Sequence, residues 1–120
     1  MKYTVIDKTN KRYIEYTSSE TPVSTEQDAL DLIAACFETD TGLVMLHAGA
    51  LADDFFRLRT GLAGSVLQKF INYNIKAALV IPDNQKVKGK FKELLAESNK
   101  GNSFRVFHSR EEAEAWLCND

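Results

Sequence analysis

The sequence predicts a single α/β domain with a mostly parallel sheet. Three observations carry that expectation. Short β-rich runs alternate with amphipathic helical stretches in the order β-β-α-β-α-β-α-β-α, the order that builds a parallel sheet covered by helices. The middle strands, LVML at 43–46 and IKAALVI at 75–81, are nearly continuous apolar runs, as strands buried on both faces are. The chain has 120 residues, which suits one domain with a self-sufficient core. The expected domain therefore spans residues 1–120, with no internal linker and no repeat.

Each element has a local cause. Runs 2–7 and 12–17 are rich in β-branched and aromatic residues, and Lys8-Thr9-Asn10-Lys11 between them reads as a hairpin turn. That hairpin supplies one antiparallel strand, at a sheet edge. A mostly polar connection over 18–23 leads to Ser24, with Gln27 three residues on, a capping-box spacing that opens the first helix. Leu30, Ile33, Ala34 and Phe37 then recur at helical spacing, and Thr39-Asp40-Thr41-Gly42 stops that helix. The strand at 75–81 closes on Pro82-Asp83-Asn84. Val87, Phe91, Leu94 and Leu95 mark the next helix, ended by Asn99-Lys100-Gly101-Asn102. Residues 104–107 form the last strand. Ser109 and Glu112 repeat the capping-box spacing, and Ala113, Trp116 and Leu117 fasten the final short helix to the sheet.

Between the third and fourth strands lies DDFFRLRTGLAGSVLQKF, residues 53–70. Residues 53–58 read as a short helix. Thr60 reads as the N-cap of a longer one, with Gly61 in its first turn. Leu62, Ala63, Val66, Leu67, Phe70 and Ile71 form its apolar face; Gly61, Gly64, Ser65, Gln68 and Asn72 form a small, polar one. Gly64 needs a reason, because a glycine inside a helix costs roughly 1 kcal/mol relative to alanine. Close packing against a neighbouring element is the expected one. The competing reading is a site. The free N–H groups of the first turn, with Arg57, Arg59, Thr60, Gly61, Gly64 and Ser65 around them, can hold an anion or face a partner.

Composition narrows the function classes. The net charge is −2, which argues against a whole-domain grip on nucleic acid. Cys36 and Cys118 are the two cysteines; they make neither a disulfide framework nor a four-thiolate zinc site, and they fit a reducing compartment. Cys36 lies on the apolar side of its helix and reads as a core thiol. No stretch approaches the roughly 18 apolar residues of a membrane span, and no leader peptide is expected, so the simplest location is the cytoplasm. Ligands of an open parallel sheet gather beyond the carboxyl ends of the strands. Here that edge carries His47, Asp83, Asn84 and His108. The two histidines can meet Asp53 or Asp54, but no paired-ligand spacing supports a metal, and no cofactor motif is present. The lysines at 86, 88, 90 and 92 spread around a helix that also carries Glu93 and Glu97, which reads as a solvated face. An enzyme ranks last, because no nucleophile–base pair is recognisable from spacing.

The stretch Thr60-Gly61-Leu62-Ala63, followed by apolar residues at helical spacing, resembles the Ser-Gly-Leu segment of STAS domains, the anti-anti-sigma-factor-like group. The element order is similar over nearly the whole chain. That resemblance implies a regulatory protein–protein interaction module, with a kinase or sigma-factor regulator as partner and Thr60 as phospho-acceptor. The sequence departs from the STAS pattern at Leu58 and Arg59, where such domains commonly carry an aspartate before the acceptor. EQDALDLIAAC, DDFFRLRTGLAGSVLQKF and SREEAEAWL also resemble a bacterial family catalogued as domain of unknown function 4180, over most of the chain. It brings no established activity. The alternative function is small-molecule or anion binding at the strand edge and the Thr60-Gly61 helix start.

Overall fold

The computed structural model describes residues 3–17, 20–82, 89–98 and 101–119. The chain runs through β1 (Thr4–Asp7), β2 (Arg12–Tyr16), α1 (Glu26–Glu38), β3 (Leu43–His47), three short 3-10 turns (Ala48–Ala50, Asp53–Phe56, Leu58–Thr60), α2 (Leu62–Asn72), β4 (Lys76–Val80), α3 (Gly89–Ser98), β5 (Phe104–Phe107) and α4 (Arg110–Leu117). One sheet holds the strands in the order β1-β2-β3-β4-β5. β1 pairs antiparallel with β2, and the other pairs are parallel. The α/β class, the edge hairpin and the parallel pairing of 43–46 with 76–80 are therefore as the sequence predicts.

The order explains the layers. β2, β3, β4 and β5 advance one place at a time in one direction, and right-handed crossovers then put all three connecting helices on the same face. That face holds the larger core. Ile14, Tyr16, Val44, Leu46, Ala77 and Leu79 of the sheet meet Leu32, Ile33 and Cys36 of α1 and Ala63, Val66 and Phe70 of α2, with Leu94 of α3 packed against them. α4 follows the last strand, makes no crossover and folds back over the opposite face. There Ala113 and Leu117 bury Tyr13, Met45, Ala78 and Val80. Trp116 adds a ring contact to Phe107, and the Lys76 ammonium lies 4.4 Å from the Trp116 ring centroid. The expected anchoring of the last helix holds.

Local chemistry corrects several boundaries. α1 is capped by Thr25 and Asp28, not by Ser24 and Gln27. Thr25 Oγ1 accepts from the Asp28 N–H at 3.2 Å, and Asp28 Oδ2 accepts from the Ser24 and Thr25 N–H groups at 2.9 and 3.0 Å. A carboxylate accepts there more strongly than the Gln27 amide would. Partial burial works against the charged Asp28, but those hydrogen bonds outweigh it and hold its pKa below the ordinary value. The buried stripe of α1 is Ala29, Leu32, Ile33, Ala35 and Cys36, so the helix is turned about one residue from the expected face, and Phe37 and Ala34 face out. ALDLIAACF is apolar nearly all round, so spacing alone chose the wrong stripe. After α1 and after α2 the chain turns through left-handed Asp40 and Asn74, both at φ 57°. Asp and Asn tolerate that region better than other side chains. The helix expected from Phe91, Leu94 and Leu95 is α3, whereas Val87, the lysines at 86 and 88, and Asn99-Lys100 lie outside the described residues, as do Asp83 and Asn84 at the strand edge.

Candidate functional site

The segment between β3 and α2 leaves the sheet at the carboxyl end of β3. It forms 3-10 turns where a short helix was expected over 53–58. Only Phe55 of Asp53–Phe56 is buried. A single buried anchor does not support a regular helical stripe. Val23 and Leu51 form an isolated parallel bridge beside this segment, with the Val23 N–H donating to Ala50 O at 2.7 Å.

Thr60 closes the last of these turns and is exposed. It is not the N-cap of α2. That position belongs to Gly61, left-handed at φ 74° and ψ 0°, with no side-chain cap. Glycine takes this conformation without the steric penalty other residues pay. Thr60 still holds the helix entry. Its hydroxyl lies 2.6 Å from Asp54 O and 2.9 Å from Arg57 O as a donor, and its oxygen accepts from the Leu62 N–H at 3.2 Å. Arg57 and Arg59 are exposed beside it. Arg57 Nη1 stands 3.9 Å from Asp54 Oδ1 with both side chains in solvent, a contact worth little.

The two glycines part company. Gly64 is exposed, and a Cβ built on it meets nothing within 4 Å. The close-packing expectation for Gly64 is therefore wrong. The small, polar face of α2 is open surface, except that Ser65 Oγ donates to Glu26 Oε2 at 3.1 Å and Lys69 Nζ sits 3.0 Å from Glu26 Oε1. Ile71, expected on the apolar face, is exposed instead.

His47 and His108 do end up at the same sheet edge, His47 as the last residue of β3 and His108 just before the α4 N-cap Ser109. They do not join Asp53 or Asp54. Among the described residues no group of three His, Cys, Asp or Glu side chains is placed to hold a metal ion. His47 Nε2 lies 2.7 Å from Glu15 Oε2, and His108 Nδ1 lies 3.3 Å from Ile81 O.

His47 belongs to a network that sequence reasoning missed. Arg110 Nε donates to Glu15 Oε2 at 2.7 Å, and its Nη2 donates to Tyr13 Oη at 3.0 Å. The Tyr13 hydroxyl donates to Glu114 Oε2, and Lys8 Nζ sits 3.1 Å from Glu114 Oε1. This chain ties α4 to β2. Burial pulls the Glu15 pKa upward, but the hydrogen bonds from Arg110 and His47 win and lower it. Burial and the bond to Glu114 raise the Tyr13 phenol above its ordinary value. One signal was available: Glu15 stands between Ile14 and Tyr16 in the short strand RYIEY, where a carboxylate on a covered face needs a cation.

A family model described as Domain of unknown function (DUF4180) matches residues 8–117. The chain belongs to that family. The DUF4180 match runs from the hairpin turn to the end of α4, so it includes Thr60, Gly61 and the Glu15–Arg110 network. Comparison with curated proteins and with solved structures gives no match. Among the described residues, no helix is long and apolar enough to cross a membrane.

Proposed function

We propose that this chain is a cytoplasmic, STAS-like regulatory module that binds a protein partner and is switched by phosphorylation of Thr60. The observation that carries the reading is the setting of Thr60: exposed, one residue before a helix N-terminus left open by Gly61, with Arg57 and Arg59 alongside. A phosphate there adds about −1.5 to −2 charges and three acceptor oxygens. The N-terminus of α2 favours that charge. A partner surface matched to a neutral threonine does not. Phosphorylation also takes the hydroxyl proton that now reaches Asp54 O or Arg57 O, so the turn before α2 loosens as the charge arrives. The partner class is a kinase or a sigma-factor regulator.

The alternative is anion or small-molecule binding at the strand edge and the Thr60-Gly61 helix start. At that edge His47 already bonds to Glu15 and His108 to Ile81 O, which lowers their capacity for a ligand. The experiment that separates the two is affinity capture from the native host with wild type, Thr60→Ala and Thr60→Glu, each first shown to be folded. The regulatory reading expects a protein partner captured by wild type and Thr60→Ala and lost by Thr60→Glu. Equal capture by all three contradicts it.

A further inference from the structure

At the opposite end of the sheet from Thr60, three large apolar side chains stand in solvent: Phe37 at 64% exposure, Ile71 at 49% and Tyr73 at 46%. The Phe37 and Tyr73 rings meet edge to face with centroids 6.1 Å apart. They mark the place where the C-terminal ends of the side-by-side helices α1 and α2 come together. A shallow cleft of about 220 Å³ opens beside Phe37, with Asp40 in its wall. Another, of about 230 Å³, opens beside Ile71, floored by Leu67 and Phe104 and bounded by Glu97. Singly exposed apolar residues are ordinary; two exposed rings in contact, with exposed Ile71 two residues before Tyr73 and a cleft beside Phe37 and beside Ile71, mark an interaction surface.

The charge around the row selects its occupant. α1 carries Glu26, Asp28, Asp31 and Glu38 and neither lysine nor arginine. α2 carries only Lys69, which is paired with Glu26 at 3.0 Å. Helical spacing sets Asp31, Ala34 and Glu38 on one exposed stripe that runs up to Phe37. On the hairpin side Asp40 already shares a pocket with Lys8, Lys11 and Arg12, and Arg12 is also held by Asp7 at 2.6 Å, so the acidic rim is the Asp31–Glu38 stripe. An anionic lipid surface or a nucleic acid is repelled by such a rim. A second copy seated symmetrically sets two acidic α1 stripes against each other. A cationic segment with apolar anchors satisfies both the row and its rim.

We propose that the Phe37–Tyr73–Ile71 row docks an amphipathic helix of a partner protein, apolar along one stripe and rich in lysine or arginine beside it. Its anchors enter the two clefts, and its cations meet Asp31 and Glu38. This surface does not depend on the role of Thr60. The test uses the intact ¹⁵N-labelled chain and a model helix of leucine and lysine in amphipathic pattern, about 18 residues long so that it can hold a helix. A counterpart with glutamate for lysine is the control. The expected result is amide shifts confined to the C-terminal halves of α1 and α2, with the lysine peptide alone, and weaker at high salt. Phe37→Ser combined with Tyr73→Ser weakens binding by at least about tenfold, and Asp31→Lys combined with Glu38→Lys does the same. Because these side chains are exposed, the amide spectra of the variants should stay native away from the row. Equal binding of the two peptides, no binding, shifts centred elsewhere, or sedimentation showing the row covered by a second copy each overturns the proposal.

Discussion

Gly61 and Gly64 stand three residues apart, and alanine at each should move stability in opposite directions. At Gly64 the backbone is ordinary right-handed helix, the residue is exposed, and a Cβ meets nothing within 4 Å. The only term left is helix propensity, worth about 0.5–1 kcal/mol in favour of alanine, at the low end because Gly64 sits in the first turn. At Gly61 a Cβ also finds open space, but φ is 74°. Forcing alanine into that left-handed conformation costs about 1–2 kcal/mol. A 120-residue chain has an unfolding entropy of roughly 0.25 kcal/mol/K, so the Tm of Gly64→Ala should rise by about 2–4 °C and that of Gly61→Ala should fall by about 4–8 °C. Gly61→Asn should lose less than Gly61→Ala, because asparagine tolerates the left-handed region. Scanning calorimetry on the three variants measures this directly. A lower Tm for Gly64→Ala refutes the open-surface geometry and restores close packing. An unchanged Tm for Gly61→Ala refutes the assignment of Gly61 as a left-handed cap.

Three further outcomes follow from the geometry. Thr60→Ala removes the hydroxyl that bridges Asp54 O, Arg57 O and the Leu62 N–H and should cost about 1 kcal/mol, while Thr60→Ser should cost less; chemical denaturation reads both. Cys36 is buried and its thiol is pushed up to about 12, whereas Cys118 is only half-buried, so iodoacetamide on the native chain should label Cys118 and spare Cys36 until the chain unfolds. Glu15 has a folded pKa below its ordinary 4.5, so its contribution is fully present above that value and is lost as pH falls through the lower folded value. Glu15→Gln should therefore destabilise at neutral pH, by about 1–3 kcal/mol for replacing the carboxylate that accepts from Arg110 and meets His47, and the penalty should shrink towards acid pH, as measured by Tm against pH.

Much of the fold was legible because its signals are redundant. LVML and KAALV are apolar on both faces and sit between helical stretches, so parallel central strands were the one economical arrangement. Ser109 announced α4 and does cap it, accepting from the Glu112 N–H at 3.2 Å. Legibility failed where two residues compete for one role. Ser24 and Thr25 both offer a hydroxyl before α1, and the contest was decided by which downstream side chain is a carboxylate. Thr60 and Gly61 both offer an N-cap, and the backbone sign at Gly61 decided that one. The rotated stripe of α1 came from a helix with too many apolar residues to choose among, and the exposed Phe37 is its consequence. The network of Glu15, Arg110, Tyr13 and Glu114 joins residues 95 or more positions apart, and no local pattern announces such a pairing. The switch proposed at Thr60 rests on motif resemblance, on its exposure and on the uncapped start of α2 that follows it.

The central claim concerns Thr60, and the most direct measurement is partner binding by the chain carrying phosphate at that one hydroxyl, compared with the same chain unmodified. The partner captured from the native host is titrated by calorimetry against both forms, with intact mass and peptide mapping to place the phosphate. The account predicts that phosphate occurs on Thr60 in the host and that its presence weakens partner binding by at least about tenfold, the scale set by an unmatched charge at an interface. Equal affinity for the two forms, or phosphate found only on other residues, would contradict it and leave Thr60 as a turn-closing threonine.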